Sequence, residues 1–210
     1  MTTGVVILGG GGHAKVVIES LRAAGHKVAA VIDADPTLRQ VAGVPVIGDD
    51  SVLSRLRGEG LTQAFVAIGD NALRFKLARG LREQGFELVK AIHPSAVVSP
   101  SVQLGVGVAI MAGAVINAET QVGDLVIINT GAVVDHDCRL GAACHLGPAS
   151  ALAGGVRIGE RAFLGVGVRA IPNITVGADT IVGAGAVIVR DLPDAVVAFG
   201  VPARLQGDRR

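Results

Sequence analysis

From Ala96 onward the hydrophobic positions recur every six residues. Cut into sixes, the chain reads AVVSPS, VQLGVG, VAIMAG, AVINAE, TQVGDL, VIINTG, AVVDHD, CRLGAA, CHLGPA, SALAGG, VRIGER, AFLGVG, VRAIPN, ITVGAD, TIVGAG, AVIVRD, and the register runs to Asp191 without an insertion. The third position is aliphatic throughout, down to Ala170 at its smallest. The first holds only small or β-branched residues and two cysteines, and the fourth is most often Gly. A period this strict is the signature of a repeat architecture. Positions one and three lie two apart, so on a strand they share a face, and that face is predicted to point inward. Position two points outward. Positions four to six make a corner, where Gly or Asn is expected to tolerate positive φ. Three strands and three corners close a triangular coil of 18 residues, and the repeats stack into a little over five coils.

Such a prism resembles the left-handed parallel β-helix of the hexapeptide-repeat proteins, an exception to the right-handed rule for parallel crossovers. The first 92 residues follow a different pattern. "GVVILG", "KVAAVIDAD" and "QAFVAIGD" read as buried strands. "HAKVVIESLRAAG" reads as a helix with Val17, Leu21 and Ala24 on one face and Gly25 as its stop. Asp50 is a candidate cap for "SVLSRLRG", and Asn71 for "ALRFKLARGLREQG", where Leu73, Leu77 and Leu81 repeat every four. Two domains are therefore expected. Residues 1–92 form an α/β unit with a small, mainly parallel sheet, a Rossmann-like half. Residues 93–210 form the left-handed β-helix.

Composition narrows the function. Half of the 210 residues are hydrophobic, yet Trp and Tyr are absent and Phe occurs five times, as a narrow prism packed with small aliphatics would require. The net charge of +1 comes with no basic cluster, so no nucleic-acid partner is expected. No apolar run has the length of a membrane span, and "MTTGVVILGGGG" lacks the basic start of a signal peptide. A cytoplasmic protein with no membrane partner is the expectation. Cys138 and Cys144 make neither a disulfide framework nor a metal site. Both fall in column one and are expected inside the prism.

"NTGAVVDHDCRLGAACHLG" places two histidines in this plain landscape. His136 is in column five, at a corner between Asp135 and Asp137, and should project. His145 is in column two, on an outward flat face. An outward imidazole beside a carboxylate has the makings of a general base, with an ordinary pKa near ~6.5 and an acid to fix its tautomer. The same position also suits a solvated corner residue.

This segment resembles the active-site stretch of the nucleotide-sugar N-acetyltransferases that act on a 4-amino-4,6-dideoxyhexose. Members include the bacillosamine-pathway and GDP-perosamine enzymes, and related chains act in sialic-acid O-acetylation. The resemblance covers essentially the whole chain. It implies that His136 is the catalytic base and that Asp137 supports its imidazole. It implies that His145 contacts the acetyl-CoA arm and that a backbone N–H of Gly154 faces the thioester carbonyl. Gly165 and Arg204, the latter in the closing "GVPAR", are assigned to acetyl-CoA with them. Acetyl-CoA is the implied co-substrate, a nucleotide-linked amino sugar the acceptor, and no metal is called for.

"ILGGGGHAK" follows a strand and opens a helix. Gly9, Gly11 and Ala14 fit G-x-G-x-x-A with Asp33 about 20 residues on, the spacing of a dinucleotide fingerprint. A unit of this size holds little more than one mononucleotide half. The resemblance instead assigns Gly11, Gly12 and His13 to the diphosphate of a nucleotide sugar. Asp33 and Asp35 are candidates for ribose or base, and Gly69, Asp70 and Asn71 for the pocket wall. Ordinary strand ends and helix caps are the plainer reading of those last five.

Three rival classes remain. A zinc carbonic anhydrase needs three His per metal, and the close H-x4-H pair of that family is absent. A sugar O-acetyltransferase would use the same residues. A non-catalytic nucleotide-binding regulator would not need His136. Val97, Val115, Val133 and Ala151 stack at intervals of 18 into an apolar strip that suggests burial by a partner. A homotrimer is expected, with His136 and His145 of different chains meeting at one site. An O-antigen is a candidate final glycan.

Overall fold

A computed structural model describes residues 4–208. The chain divides into two compact units, one ending at Pro94 and the other beginning at Ser95. In the first, strands Val5–Leu8, Val28–Ile32, Gln63–Val66 and Glu87–Leu88 form a parallel sheet with Val5–Leu8 inside it, between Val28–Ile32 and Gln63–Val66. Val5, Val6, Ile7 and Leu8 are all buried, so the strand carries no polar alternation, as a parallel strand covered on both faces requires. Helix Gly12–Ala23 buries Ala14, Val17, Ile18, Ser20 and Leu21. Gly25 follows it at φ 85°, in the left-handed stop position.

Two helix assignments differ from the sequence pattern. Asp49, not Asp50, caps a 3-10 turn at Asp50–Val52 that runs into helix Leu53–Gly58. Asp70, not Asn71, caps helix Asn71–Glu83, accepting the Leu73 N–H at 2.8 Å. The buried face of that helix is Asn71, Arg74, Ala78 and Leu81, while Leu73 is exposed. The every-four leucines misplace the face because a cation, Arg74, takes a core position.

The second unit is the left-handed parallel β-helix. Its two-residue strands fall on three faces. The valine face stacks Val97–Val98, Val115–Ile116, Val133–Val134, Ala151–Leu152, Arg169–Ala170 and Val187–Ile188. The arginine face stacks Gln103–Leu104, Gln121–Val122, Arg139–Leu140, Arg157–Ile158 and Thr175–Val176. The histidine face carries Ala109–Ile110, Ile127–Ile128, His145–Leu146, Phe163–Leu164 and Ile181–Val182, then Val196–Phe199 with Arg204–Asp208 antiparallel to it. Every neighbour pair within the coils is offset by one turn, as in Val115 with Val133 and Gln121 with Arg139.

Columns one and three fill the prism: Ala132, Val134, Cys138, Leu140, Cys144 and Leu146 are all 3% exposed or less. Where column one is polar, the side chain donates to a carbonyl of the coil above. Thr120 Oγ1 reaches Asp135 O at 2.9 Å, Cys138 Sγ reaches Ala153 O at 3.3 Å and Ser150 Oγ reaches Gly165 O at 3.2 Å. Buried donors need such partners.

The corner differs from expectation in one respect. Positive φ belongs to column six alone, at every sixth residue from Gly107 to Gly185, and Glu119, Leu125, Asp137, Ala143 and Arg161 adopt it as readily as glycine. The column-four glycines answer a different need. A Cβ on Gly123 would stand 2.9 Å from Ala142 N, and one on Gly141 2.6 Å from Glu160 N, so a side chain there would strike the next coil's backbone.

Candidate functional site

His136 sits at the corner between the valine and arginine faces. Its side chain is 60% exposed, and its Nδ1 lies 2.7 Å from Asp137 Oδ2. Asp137 is in column six at φ 59°, a left-handed conformation that Asp tolerates better than most residues and that lets its carboxylate return to the neighbouring ring. Asp135, in column four, accepts the His136 N–H at 2.8 Å and Asn117 Nδ2 at 3.0 Å from the coil below. Those two bonds hold the Asp135 carboxyl below the usual carboxylate range. The Asp137 hydrogen bond, with the Asp135 charge second, raises the His136 pKa. With Nδ1 engaged by an acceptor, the proton sits on Nδ1 and Nε2 carries the free lone pair. A cavity of about 280 Å³ opens here, lined by Asp135, His136, Asp137, Gly154, Pro172 and Asn173 among others. A larger concavity of about 740 Å³ runs along the arginine face and contains none of the candidate residues.

His145 departs from its expected exposure. It does lie on an outward position of the histidine face, but it is only 8% exposed. Phe163, one coil on, meets it edge-to-face at 5.2 Å between ring centroids. Asn129 Nδ2 lies 3.2 Å from its Nε2. Asn129 Oδ1 accepts the Thr130 N–H at 2.8 Å, which turns the amide's donor side toward the ring and makes Nε2 the acceptor. On one chain the arginine-face strand Arg139–Leu140 and a further corner separate His145 from His136.

Gly154 lies one coil on from His136 in the same column, and the atoms nearest to where its Cβ would be are those of the imidazole. Gly165 is a column-four glycine pressed on Ala184 N, 2.7 Å from where its Cβ would be, so coil stacking alone accounts for it. Arg204 opens the final strand and is exposed. Cys138 and Cys144 are buried inside the prism, and burial pushes the Cys138 thiol up. Among the described residues no group of three or more His, Cys, Asp or Glu is arranged to hold a metal ion, and no helix is long and apolar enough to cross a membrane.

In the first unit the glycine loop divides its labour. Gly9, at φ 98°, packs where a Cβ would lie 2.7 Å from Ile68 Cγ1. Gly10 N–H donates to Asp33 Oδ2 at 2.6 Å. Gly11 and Gly12, at the start of the helix, have open space where side chains would be, so a ligand can approach backbone N–H groups there. Asp33 also accepts the Asp35 N–H through Oδ1 at 2.9 Å. Both its oxygens are thus engaged in shaping the loop. Asp35 accepts Thr37 N at 2.8 Å and Oγ1 at 2.6 Å, and beside it lies a cavity of about 290 Å³ reaching Arg39 and Asp49.

His13 is held neutral. Burial, and then the nearby Arg74 charge, lower its pKa to about 4. Arg74, 1% exposed, donates to Ile68 O at 3.0 Å, Gly69 O at 3.2 Å and Asn71 Oδ1 at 2.8 Å. It thereby pins the Gly69–Asp70–Asn71 stretch.

Comparison with solved structures decides the family. A crystal structure of a histidine-to-asparagine variant of perosamine N-acetyltransferase from Caulobacter crescentus, in complex with CoA and GDP-perosamine, is 74% identical with a TM-score of 0.96, covering 98% of this chain and 97% of that one. The chain belongs to the perosamine N-acetyltransferase family. A second family-level likeness is to the acetyltransferase domain of PglB from Neisseria gonorrhoeae in complex with acetyl coenzyme A, 40% identical with a TM-score of 0.90 over 96% of this chain and 98% of that one. The model of the PglD N-terminal domain matches residues 4–81. UDP-N-acetylbacillosamine N-acetyltransferase of Bacillus subtilis is 40% identical over 110 residues, about half the length of each chain (51%).

In this perosamine N-acetyltransferase-family chain, the sequence reading missed Asn117, Asn129 and Arg74. The first could have been found by coil arithmetic, since Asn117 and Asp135 share a column one turn apart. Asn129 and Arg74 leave no comparable signal.

Proposed function

We propose that this chain transfers the acetyl group of acetyl-CoA to the C4 amine of a nucleotide-linked 4-amino-4,6-dideoxyhexose, GDP-perosamine, with His136 as general base. The observation that carries this reading is the His136–Asp137 pair, 2.7 Å apart at an open corner. It occurs in a chain 74% identical to an enzyme crystallised with CoA and GDP-perosamine.

The amine must attack as the free base. Its nitrogen bonds to the thioester carbonyl carbon, its proton passes to His136 Nε2, and the C–S bond breaks as the oxyanion collapses. The CoA sulfur leaves with the proton that His136 returns. Proton acceptance of this kind is worth ~10²–10⁴ in rate. The backbone N–H of Gly154 is assigned to the oxyanion, a role worth ~10²–10³ for one donor. Direct transfer is favoured over an acyl-enzyme because Cys138 is buried and engaged with Ala153 O. His145, Gly165 and Arg204 are assigned to acetyl-CoA. Gly11, Gly12 and His13 are assigned to the diphosphate, and Asp35 and Asn71 with their neighbours to the nucleoside side of the pocket. The engaged Asp33 shapes that pocket from behind.

The working protein is proposed to be a cytoplasmic homotrimer serving an O-antigen pathway. The valine strip supports association: Val97 is 63% and Val133 38% exposed, and register stacks them with Val115 and Ala151. A monomeric mass by sedimentation at working concentration refutes the trimer.

Thiol release from acetyl-CoA tests the function, with GDP-perosamine, UDP-4-amino-4,6-dideoxyglucose and no sugar in parallel. Release with GDP-perosamine is expected. Release with the UDP sugar alone reassigns the nucleotide. No release with either overturns the amine-acceptor reading.

A further inference from the structure

Column five is where side chains leave the prism, and through successive coils at this corner it reads Ala118, His136, Gly154, Pro172. Gly154 is the anomaly. Its φ lies outside the left-handed region, so backbone conformation does not demand glycine. Nor does coil stacking: Gly141 and Gly159, in column four, press on backbone atoms, but the three atoms nearest a Cβ at 154 all belong to one side chain. They are His136 Cε1 at 2.6 Å, Nε2 at 2.7 Å and Nδ1 at 3.2 Å. Real Cβ atoms essentially never show the first two distances, and the third is tighter than most. The volume of one methyl group at position 154 is therefore already occupied by the imidazole.

One further contact holds the ring, and others hold the corner that carries it. Asp137 holds Nδ1. Asn117 and the His136 N–H anchor Asp135 below. Gly155 N–H donates to His136 O at 2.9 Å and ties the corner to the coil above. Exposed imidazoles ordinarily sample several rotamers, and a base must be held within a fraction of an ångström of its working position.

We propose that Gly154 is a positioning residue, its missing side chain forming the slot in which the His136 imidazole lies with Nδ1 on Asp137 and Nε2 open to the acceptor. This rests on His136 being the base and adds a role to Gly154 that its backbone N–H does not supply. A ring displaced by a methyl group loses the Asp137 geometry and the aim of Nε2 together.

The test is Gly154→Ala, alone and combined with His136→Ala. Alanine keeps the backbone N–H, so an oxyanion role alone leaves the unliganded imidazole untouched. The slot predicts that kcat falls about 100-fold, the cost of a ~1 Å misplacement, while KM for GDP-perosamine holds. It predicts that the His136 titration, followed by NMR in the unliganded protein, moves down toward the ordinary histidine value as the Asp137 bond is lost. It also predicts that Gly154→Ala lowers Tm in the native background but not beside His136→Ala, where the ring is gone. An unshifted titration, or an equal Tm loss in both backgrounds, overturns the slot. Native turnover in His136→Ala would instead overturn the base assignment, and the Tm comparison would still test the slot.

Discussion

His136 and His13 are the same side chain tuned in opposite directions. At the β-helix corner, an exposed imidazole has a carboxylate 2.7 Å from Nδ1 and its pKa rises. In the glycine loop, an imidazole whose Nε2 is sealed from solvent lies near a buried guanidinium, and its pKa falls to about 4. The first arrangement makes a proton acceptor whose cation is stabilised. The second makes a polar group that stays neutral at any ordinary pH. At the proposed diphosphate site a neutral His13 would offer hydrogen bonding and no charge, and the positive potential would come from Arg74 and the N-terminal end of helix Gly12–Ala23. Neither histidine could replace the other, because the difference resides in their neighbours.

The sharpest way to break this comparison is to remove the corner histidine. His136→Ala is expected to lower kcat by ~10²–10⁴ with little change in the affinity for the nucleotide sugar, which equilibrium binding can check. A wild-type rate would leave the His136–Asp137 pair without its chemical role.

The buried histidine should reveal itself in stability. In the unfolded chain His13 titrates near its ordinary value of 6.5, and in the folded unit near 4. Between those pH values the unfolded state binds more protons, so stability rises with pH across that window. The contribution is full above 6.5 and is lost as the pH falls toward 4, by about 3 kcal/mol in all. Urea unfolding at several pH values should show this slope, and His13→Gln should flatten it. Equal slopes in the two proteins would mean that the imidazole is not held neutral.

The two units were unequally legible in sequence. In the β-helix one column assignment determines strand, face and burial for every coil, so the corner position of His136 and the inward cysteines followed from counting. Counting did not reach what lies between columns. It put His145 outward but could not see Phe163 and Asn129 closing over it. It spread positive φ over corner positions four to six and over Gly and Asn, whereas column six alone adopts it, with Glu, Leu, Asp, Ala and Arg among its residues. In the α/β unit periodicity was a weaker guide, because helix Asn71–Glu83 buries Arg74 where hydrophobic spacing placed leucines. A buried cation satisfied by two carbonyls and an amide oxygen is a tertiary arrangement with no local sequence pattern.

The finest division of the comparison lies in what Asp137 contributes to His136. Asn at 137 suits the left-handed backbone, so the corner should survive Asp137→Asn, but the charge that favours the imidazolium is gone. The base must be neutral to act. A raised pKa therefore places the acid limb of the rate profile above the ordinary histidine value: activity is low below the limb and rises through it. Asp137→Asn should move that limb down, with Asp135 still supplying part of the elevation. Its plateau should fall about tenfold, because the weaker base is also less firmly aimed. These effects oppose one another on the acid side, so the ratio of native to variant rate should be largest near pH 8 and should narrow toward pH 6. The substrate amine titrates identically in both reactions and divides out of that ratio. A ratio constant with pH would assign the limb to the amine and leave Asp137 with orientation alone.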